Sequence, residues 1–264
     1  MTQPVCLTIA GLDPSGGAGI LADVRTFAAF GCFPSAAVTS ITFQNTVGVF
    51  GAEHQSAETV RRQVEPIIED YDIAALKTGM LPTREVIEET AVLIKRMPSV
   101  KLVVDPVVRS TSGFDLIDDD ALRSLIAVLF PLAGLVTPNL PEAERIAGFK
   151  IGSIDDIDKA AAAMQAMGAR NVLIKGGHSV EANIGDGKAT DYLFEGQTRH
   201  LFSADHIDTS ATHGTGCTLS AAIIANLALG KDLPDAVKIA KAFVTEAIRK
   251  APMLGHGHSP INIR

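Results

Sequence analysis

Short runs rich in Val and Ile, several of them apolar throughout, alternate along this chain with longer segments whose apolar residues recur at helical period. That alternation is the signature of βαβ units, and it commits the chain to an α/β fold around a mostly parallel sheet. Six runs are clear: VCLTIAG (5–11), AAVTSITF (36–43), IAALKTG (73–79), KLVVDPV (101–107), AGLVTPN (133–139) and NVLIKGG (171–177). Strands that are apolar on every residue are covered on both faces. Between them, helices are expected to start at Ser56, at Thr83 and at Ser153, where Asp156 stands at capping-box spacing and Gly168 closes the segment. TDYLFEGQTRHLF (190–202) reads as an antiparallel hairpin turning at Glu195-Gly196, and the polar EANIGDGK (181–188) as a mobile loop.

No repeat, low-complexity tract or Pro/Ser-rich linker interrupts this pattern, so residues 1–264 are expected to form one domain. With 47% hydrophobic residues the chain can bury a large core, and its formal net charge of −7 argues against a broad basic surface for nucleic acid or an anionic membrane. MTQPVCLTIAGLD lacks the basic start of a signal peptide, and no apolar run reaches the roughly 18 residues of a membrane span. A cytoplasmic protein is expected. Cys6, Cys32 and Cys217 have neither CxxC nor metal-ligand spacing and read as reduced thiols.

In parallel sheets ligands bind at the carboxyl ends of the strands, and here those ends are polar. After the first run, GLDPSGGAGILAD leads Gly16, Gly17 and Gly19 into a helix, either to cradle a ligand with backbone N–H groups or to allow tight helix–strand packing. A P-loop is excluded because no Lys-Ser/Thr follows at the required spacing. Gly17-x-Gly19-x-x-Ala22 fits the dinucleotide fingerprint, but the second strand ends in Gln44 rather than an acid for a ribose. TPNLPEAE places Asn139 and Glu142 at another strand end, where their oxygens suit Mg²⁺ and its waters; Pro141 at the first helical position with acids behind it is also an ordinary helix start. Lys175, before two glycines, would be costly to bury without a partner, and a phosphate is a natural one. Asp105 in VVDP either faces a metal or phosphate or accepts turn N–H groups ahead of Pro106.

HGTGCTLS (213–220) sets Gly214, Thr215, Gly216 and Cys217 at the start of an apolar helix. Unpaired N–H groups there form an anion hole, and the glycines let an anion approach. The same field favours thiolate, so Cys217 is expected to have a lowered pKa and to serve as a base, or else to be a compact core residue. His213, just before the helix, reads as a solvated loop residue or a thiol partner.

Together AGLDPSGGAGILAD, QNTVGV, KTGML, DPVV-x-x-TSG, TPNLPEAE, IKGGH, HGTGCTLSAAI and G-x-G-H-S-P-I-N run nearly end to end. The set resembles the ribokinase-like superfamily and, within it, the hydroxymethylpyrimidine kinase/phosphomethylpyrimidine kinase family of thiamine biosynthesis. The resemblance implies a three-layer sandwich, a central mostly parallel sheet with helices on both faces, and a homodimer. It implies ATP as co-substrate, Mg²⁺, and two phosphorylations at one site: of 4-amino-5-hydroxymethyl-2-methylpyrimidine, then of its monophosphate. By the same resemblance Gln44 reads the pyrimidine ring, and Gly11, Asp23, Met80 and Val107 line its pocket. Cys217 takes the catalytic position beside Gly214, Thr215 and Gly216. Asn139 and Glu142 hold the magnesium through water, while Lys175 and Asp105 face phosphate and metal. Two departures stand out, TFQNT for the family's TAQNT and DPVVRSTSG for DPVMVATSG. Phe43 is expected on the opposite face from Gln44, and Arg109 adds a charge near the phosphates. A pyridoxal kinase is the alternative on the same fold; a non-catalytic binding protein fits the set of site residues less well.

Overall fold

A computed structural model describes residues 3–109, 113, 115–178 and 188–264. Its first half runs β1 (Val5–Leu12), α1 (Gly19–Ala29), β2 (Phe33–Gln44), β3 (Val49–His54), α2 (Ala57–Asp70), β4 (Ile73–Thr78), α3 (Arg84–Lys95) and β5 (Lys101–Val104). Then follow α4 (Asp119–Leu129), β6 (Leu135–Val136), α5 (Leu140–Ala147), α6 (Ile154–Ala166), β7 (Asn171–Ile174), β8 (Ala189–Glu195), β9 (Thr198–Ala204), α7 (Thr215–Ala228) and α8 (Leu233–Arg249). All six expected strands are present. Apart from Lys188, the expected loop 181–188 lies outside the described residues, as do Thr111 and Ser112 of the TSG motif.

The strands form one sheet in the order β3-β2-β1-β4-β5-β6-β7-β8-β9. From β2 to β7 neighbours are parallel, whereas β3, β8 and β9 pair antiparallel at the two ends. The expected hairpin is β8–β9, with Gly196 in its turn at φ +56°. The run at 133–139 shrinks to two paired residues because Pro138 has no N–H for the ladder. β3 escaped the sequence reading because VFGAEH carries an interior glycine and little apolar alternation.

Side chains alternate across the sheet. Leu7, Ile9, Leu76, Val104, Val136 and Ile174 join one apolar cluster with residues of α2 to α6, such as Val64, Ile87, Leu125 and Ile157. Their chain neighbours Cys6, Ala75, Val103, Leu135 and Leu173 join a second, with Phe27 of α1, Ile223 of α7 and Ala240 of α8. This two-residue period is what a sheet buried on each face requires.

The order of the strands also fixes where a ligand can sit. β1 leads by way of α1 to β2 on one side, while the chain returning through α2 places β4 on the other side of β1. Between β1 and β4 the crossovers diverge, which opens a crevice at the carboxyl ends of the strands.

Candidate active site

A cleft of about 1110 Å³ occupies that crevice and spreads over the strand ends. Its walls carry Gly11 near the end of β1 and Asp13 after it, Gln44 at the end of β2, Met80 after β4, Asp105 and Val107 after β5, Asn139 after β6 and Lys175 after β7. Gly214, Thr215, Gly216, Cys217 and Glu142 complete it. Every expected site residue but one therefore lines the cleft. Asp23 lies behind the wall: it is fully buried and reaches the cleft only through Lys77, whose Nζ donates to its Oδ2 at 2.9 Å.

Six helices, α2 to α6 and α8, begin at a side-chain cap: Ser56, Thr83, Asp118, Asn139, Ser153 and Asp232. α1 and α7 begin at Ala18 and Gly214 without one, and both starts face the cleft. Gly214 is at φ +84°, and a Cβ on it would lie 1.8 Å from the Gly17 carbonyl oxygen. Only glycine allows the two turns to touch, and the Gly216 and Cys217 N–H groups in the first turn of α7 are left uncapped at the cleft wall.

Behind this turn His213 corrects the sequence reading. It is buried, with Nε2 2.7 Å from Asp13 Oδ2, and a Cβ on Gly17 would strike its ring. Asp13 in turn accepts the N–H groups of Ser15 and Ala18. Burial pushes the Asp13 carboxyl up, but the His213 hydrogen bond and the turn N–H outweigh it and hold it low. One carboxylate thus fixes the glycine turn and the start of α7 together.

Asp105 accepts from Lys175 Nζ at 2.8 Å, from Thr137 Oγ1 at 3.1 Å and from Ser220 Oγ at 3.1 Å. Burial alone would raise its pKa, yet the charges of Lys175 and Lys77 with these hydrogen bonds keep it below its ordinary value. Lys175 also lies 3.9 Å from Glu142 Oε2. Burial, with Asp105 nearby, pushes the Glu142 carboxyl up to about 7. Asn139 and Glu142 form a full capping box: Asn139 Oδ1 accepts the Glu142 N–H at 2.9 Å, and Glu142 Oε2 accepts the Asn139 N–H at 2.8 Å. The helix starts at Leu140, so Pro141 is its second residue, not its first.

The Cys217 thiol departs from expectation. Burial pushes it up to about 11 against the pull of Lys77, so the field of the helix start does not make it a ready thiolate in the free protein. Arg109 Nε pairs with Asp115 Oδ1 at 2.8 Å on the exposed rim of the cleft. Phe43 is half exposed and stacks on Gly51 of β3, while Gln44, past a register shift, turns into the cleft.

The sequence reading passed over Lys77, Thr137 and Ser220. A lysine two residues before Gly79 in an otherwise apolar run was the available signal for the first, and it matches Lys175 before Gly176-Gly177.

Known proteins resemble the chain along nearly its whole length. The family described as phosphomethylpyrimidine kinase matches residues 13–262. The hydroxymethylpyrimidine/phosphomethylpyrimidine kinase of Bacillus subtilis is 42% identical over 97% of this chain and 93% of its own. That of Haemophilus influenzae is 43% identical over 97% of this chain and 95% of its own. Among solved structures, the pyridoxal kinase of Staphylococcus aureus in complex with ADP superposes with a TM-score of 0.90 at 33% identity, over 100% of this chain and 94% of its own. A phosphomethylpyrimidine kinase of Clostridium difficile superposes at 0.81 with 40% identity, over 93% of this chain and 100% of its own.

Proposed function

Because the chain belongs to the phosphomethylpyrimidine kinase family, we infer that it is a phosphotransferase that uses ATP to phosphorylate 4-amino-5-hydroxymethyl-2-methylpyrimidine and then its monophosphate, in thiamine biosynthesis. The observation that carries this reading is the convergence on one cleft of the Gln44 amide, the Lys175 ammonium and an uncapped helix start.

The residues divide the work by their chemistry. Gln44 accepts from the exocyclic amine of the pyrimidine and donates to the adjacent ring nitrogen, with Gly11, Met80 and Val107 enclosing the ring. Asp23 acts from behind the wall. Lys175 binds the phosphates of ATP while Asp105 orients its ammonium. The amides of Gly216 and Cys217 hold the transferred phosphoryl group as charge builds on its oxygens, with Thr215, whose own N–H donates to the Thr212 carbonyl, setting the turn before them. The thiolate form of Cys217 takes the proton of the attacking hydroxyl and becomes the thiol. Since its thiol is mostly protonated in the free protein, positioning and the amide cradle carry the larger share of the rate.

The donor set also fits Mg²⁺. Asn139, Glu142 and Asp105 offer only oxygens, and the capping box leaves Asn139 and Glu142 lone pairs for waters rather than for close coordination. Bound there with ATP, the ion would neutralise phosphate charge. Among the described residues no cluster of three or more His, Cys, Asp or Glu is arranged to hold a metal without such help.

We extend the reading to one domain, a sandwich with helices on both faces, in a cytoplasmic homodimer. The two apolar clusters support the sandwich, and the free thiols suit a reducing compartment. Ile41, Phe43, Val47 and Phe50, exposed at the β2–β3 edge, support the dimer. Among the described residues no helix is long and apolar enough to cross a membrane.

A coupled assay with Mg-ATP, followed by product masses, tests the function. Hydroxymethylpyrimidine should be converted to its monophosphate and then its pyrophosphate. Pyridoxal phosphate as the sole product would move the chain to the second reading, which the likeness to the Staphylococcus aureus structure keeps in view.

A further inference from the structure

An ion pair under the cleft is hardly used by the reading above, which sets Asp23 behind the wall and gives its partner Lys77 no role. Lys77 and Asp23 have no exposed surface, and Asp23 Oδ2 accepts from both Lys77 Nζ and Thr8 Oγ1. Asp23 Oδ1 has no hydrogen-bond partner among the described residues. Two charges removed from water in this way rarely improve on an apolar pair of equal volume. Stability is therefore a poor reason for them.

Their position supplies a better one. Lys77 is the penultimate residue of β4, beside the point where the crossovers diverge, and it reaches the cleft floor while Asp23 does not. Gly79 makes room for it: a Cβ there would lie 3.2 Å from Lys77 Nζ and 2.9 Å from Ala10 Cβ. The groups that act on the Cys217 sulfur are Lys77 from β4, Asp23 from α1, Asp105 after β5, Lys175 after β7 and the backbone of Gly19. Burial and two carboxylates oppose a negative sulfur. Helix α7 packs directly against β4, the strand that carries Lys77, and of these groups Lys77 favours the negative sulfur most.

We propose that Lys77, held in place by Asp23, is a positioning residue for phosphoryl transfer, its buried ammonium serving as counter-charge to the Cys217 sulfur and to the negative charge gathered at the start of α7. This rests on Cys217 accepting the hydroxyl proton. Burial raises the Asp23 carboxyl, and Asp23, Cys217 and Asp105 together hold the Lys77 ammonium above its ordinary value despite burial, so the lysine stays charged at any working pH.

The test compares Lys77→Met, Lys77→Arg and the apolar pair Asp23→Leu/Lys77→Met in the full chain. It reads kcat, KM for ATP, melting temperature, and the rate at which iodoacetamide labels Cys217 at about pH 8.5, assigned by peptide mass. Only thiolate reacts, so Lys77→Met should label about tenfold more slowly or worse, and lose on the order of a hundredfold in kcat with KM for ATP little changed. Lys77→Arg keeps the charge and should recover labelling in part. The apolar pair should melt at or above the wild-type temperature and still be slow, so it decides the matter if Lys77→Met alone fails to fold. On a Cys217→Ala background, Lys77→Met should cost much less than it does alone. Unchanged labelling in Lys77→Met, or wild-type kcat in the folded apolar pair, would overturn the proposal. No turnover of either alcohol by the wild type would instead sink the functional reading, and the labelling comparison would still judge Lys77.

Discussion

Helices α5 and α7 both begin at the wall of the same cleft, and they treat their first turns in opposite ways. At α5 the donors are consumed at home, because Asn139 and Glu142 each accept the other's backbone N–H. At α7 the cap is a glycine with nothing to accept with, and although the Thr215 N–H turns back to the Thr212 carbonyl, those of Gly216 and Cys217 are left for a ligand. Glycine in place of a hydrogen-bonding cap costs a helix roughly a few tenths of a kcal/mol, and ordering the left-handed turn at Gly214 adds to that cost in conformational entropy. One terminus spends its hydrogen bonds on stability, the other keeps them for an anion. A change at α5 should be read mainly in melting temperature, and a change at α7 mainly in rate.

The harshest test of the contrast is Gly214→Ala. With its Cβ driven into the Gly17 carbonyl, the glycine turn and the α7 start must separate. We expect kcat/KM to fall by more than about a hundredfold and the protein to lose on the order of 2–3 kcal/mol of stability, measured by steady-state kinetics and denaturant melts. Wild-type kcat/KM in this variant would mean that the α7 amides are not the cradle.

Cys217→Ala should be milder on the fold and still severe on rate. It should lose about a hundredfold in kcat while calorimetry shows ATP binding unchanged, and Cys217→Asp should recover part of the loss. If kcat stays at the wild-type value, the amides alone would account for the chemistry of this turn.

The same thiol makes the contrast depend on pH. Its pKa in the folded chain, about 11, exceeds the ordinary 9.0, so folding favours the protonated form. That contribution is complete below pH 9 and is lost as pH rises toward about 11. Cys217→Ser should therefore flatten the alkaline limb of the stability curve by on the order of 1–3 kcal/mol. Parallel limbs for the two proteins would contradict the burial of the sulfur.

The smallest effect is expected at α5, where Asn139→Ala removes a cap. A loss of about 1 kcal/mol, or roughly 2–4 °C in melting temperature for a domain of this size, should outweigh any change in ATP binding without Mg²⁺.

What could be read from the sequence follows from how local each signal was. Asp105 and Lys175 stood out because a charge directly after an apolar run marks the open end of a parallel strand. Lys77 did not, because it lies inside such a run and its partner Asp23 is 54 residues away on a helix. His213 was misjudged for the same reason, its partner Asp13 being 200 residues distant. The Cys217 thiol was misjudged differently: the helix start is visible in Gly-Thr-Gly, but the burial that outweighs its field belongs to the packing of β4, α1 and α7. Nor does sequence alone separate α5 from α7, since Asn139 with Glu142 announces both a capping box and a pair of oxygen ligands.

The bond between Asp13 and His213 also says something about when this protein becomes active as it is made. It is one of several ties across the length of the chain: Arg25 donates to the Ile263 carbonyl across 238 residues, and the His256 amide to Thr46 Oγ1 across 210. Closing a loop of that length costs about 2 kcal/mol more than closing one of some 20 residues, so these contacts form after the local ones. A nascent chain emerging from the ribosome can pair β1 with β2 and β4 early, yet its glycine turn has no α7 to meet. The anion cradle is thus among the last things built, however much sheet an unfinished chain has already formed.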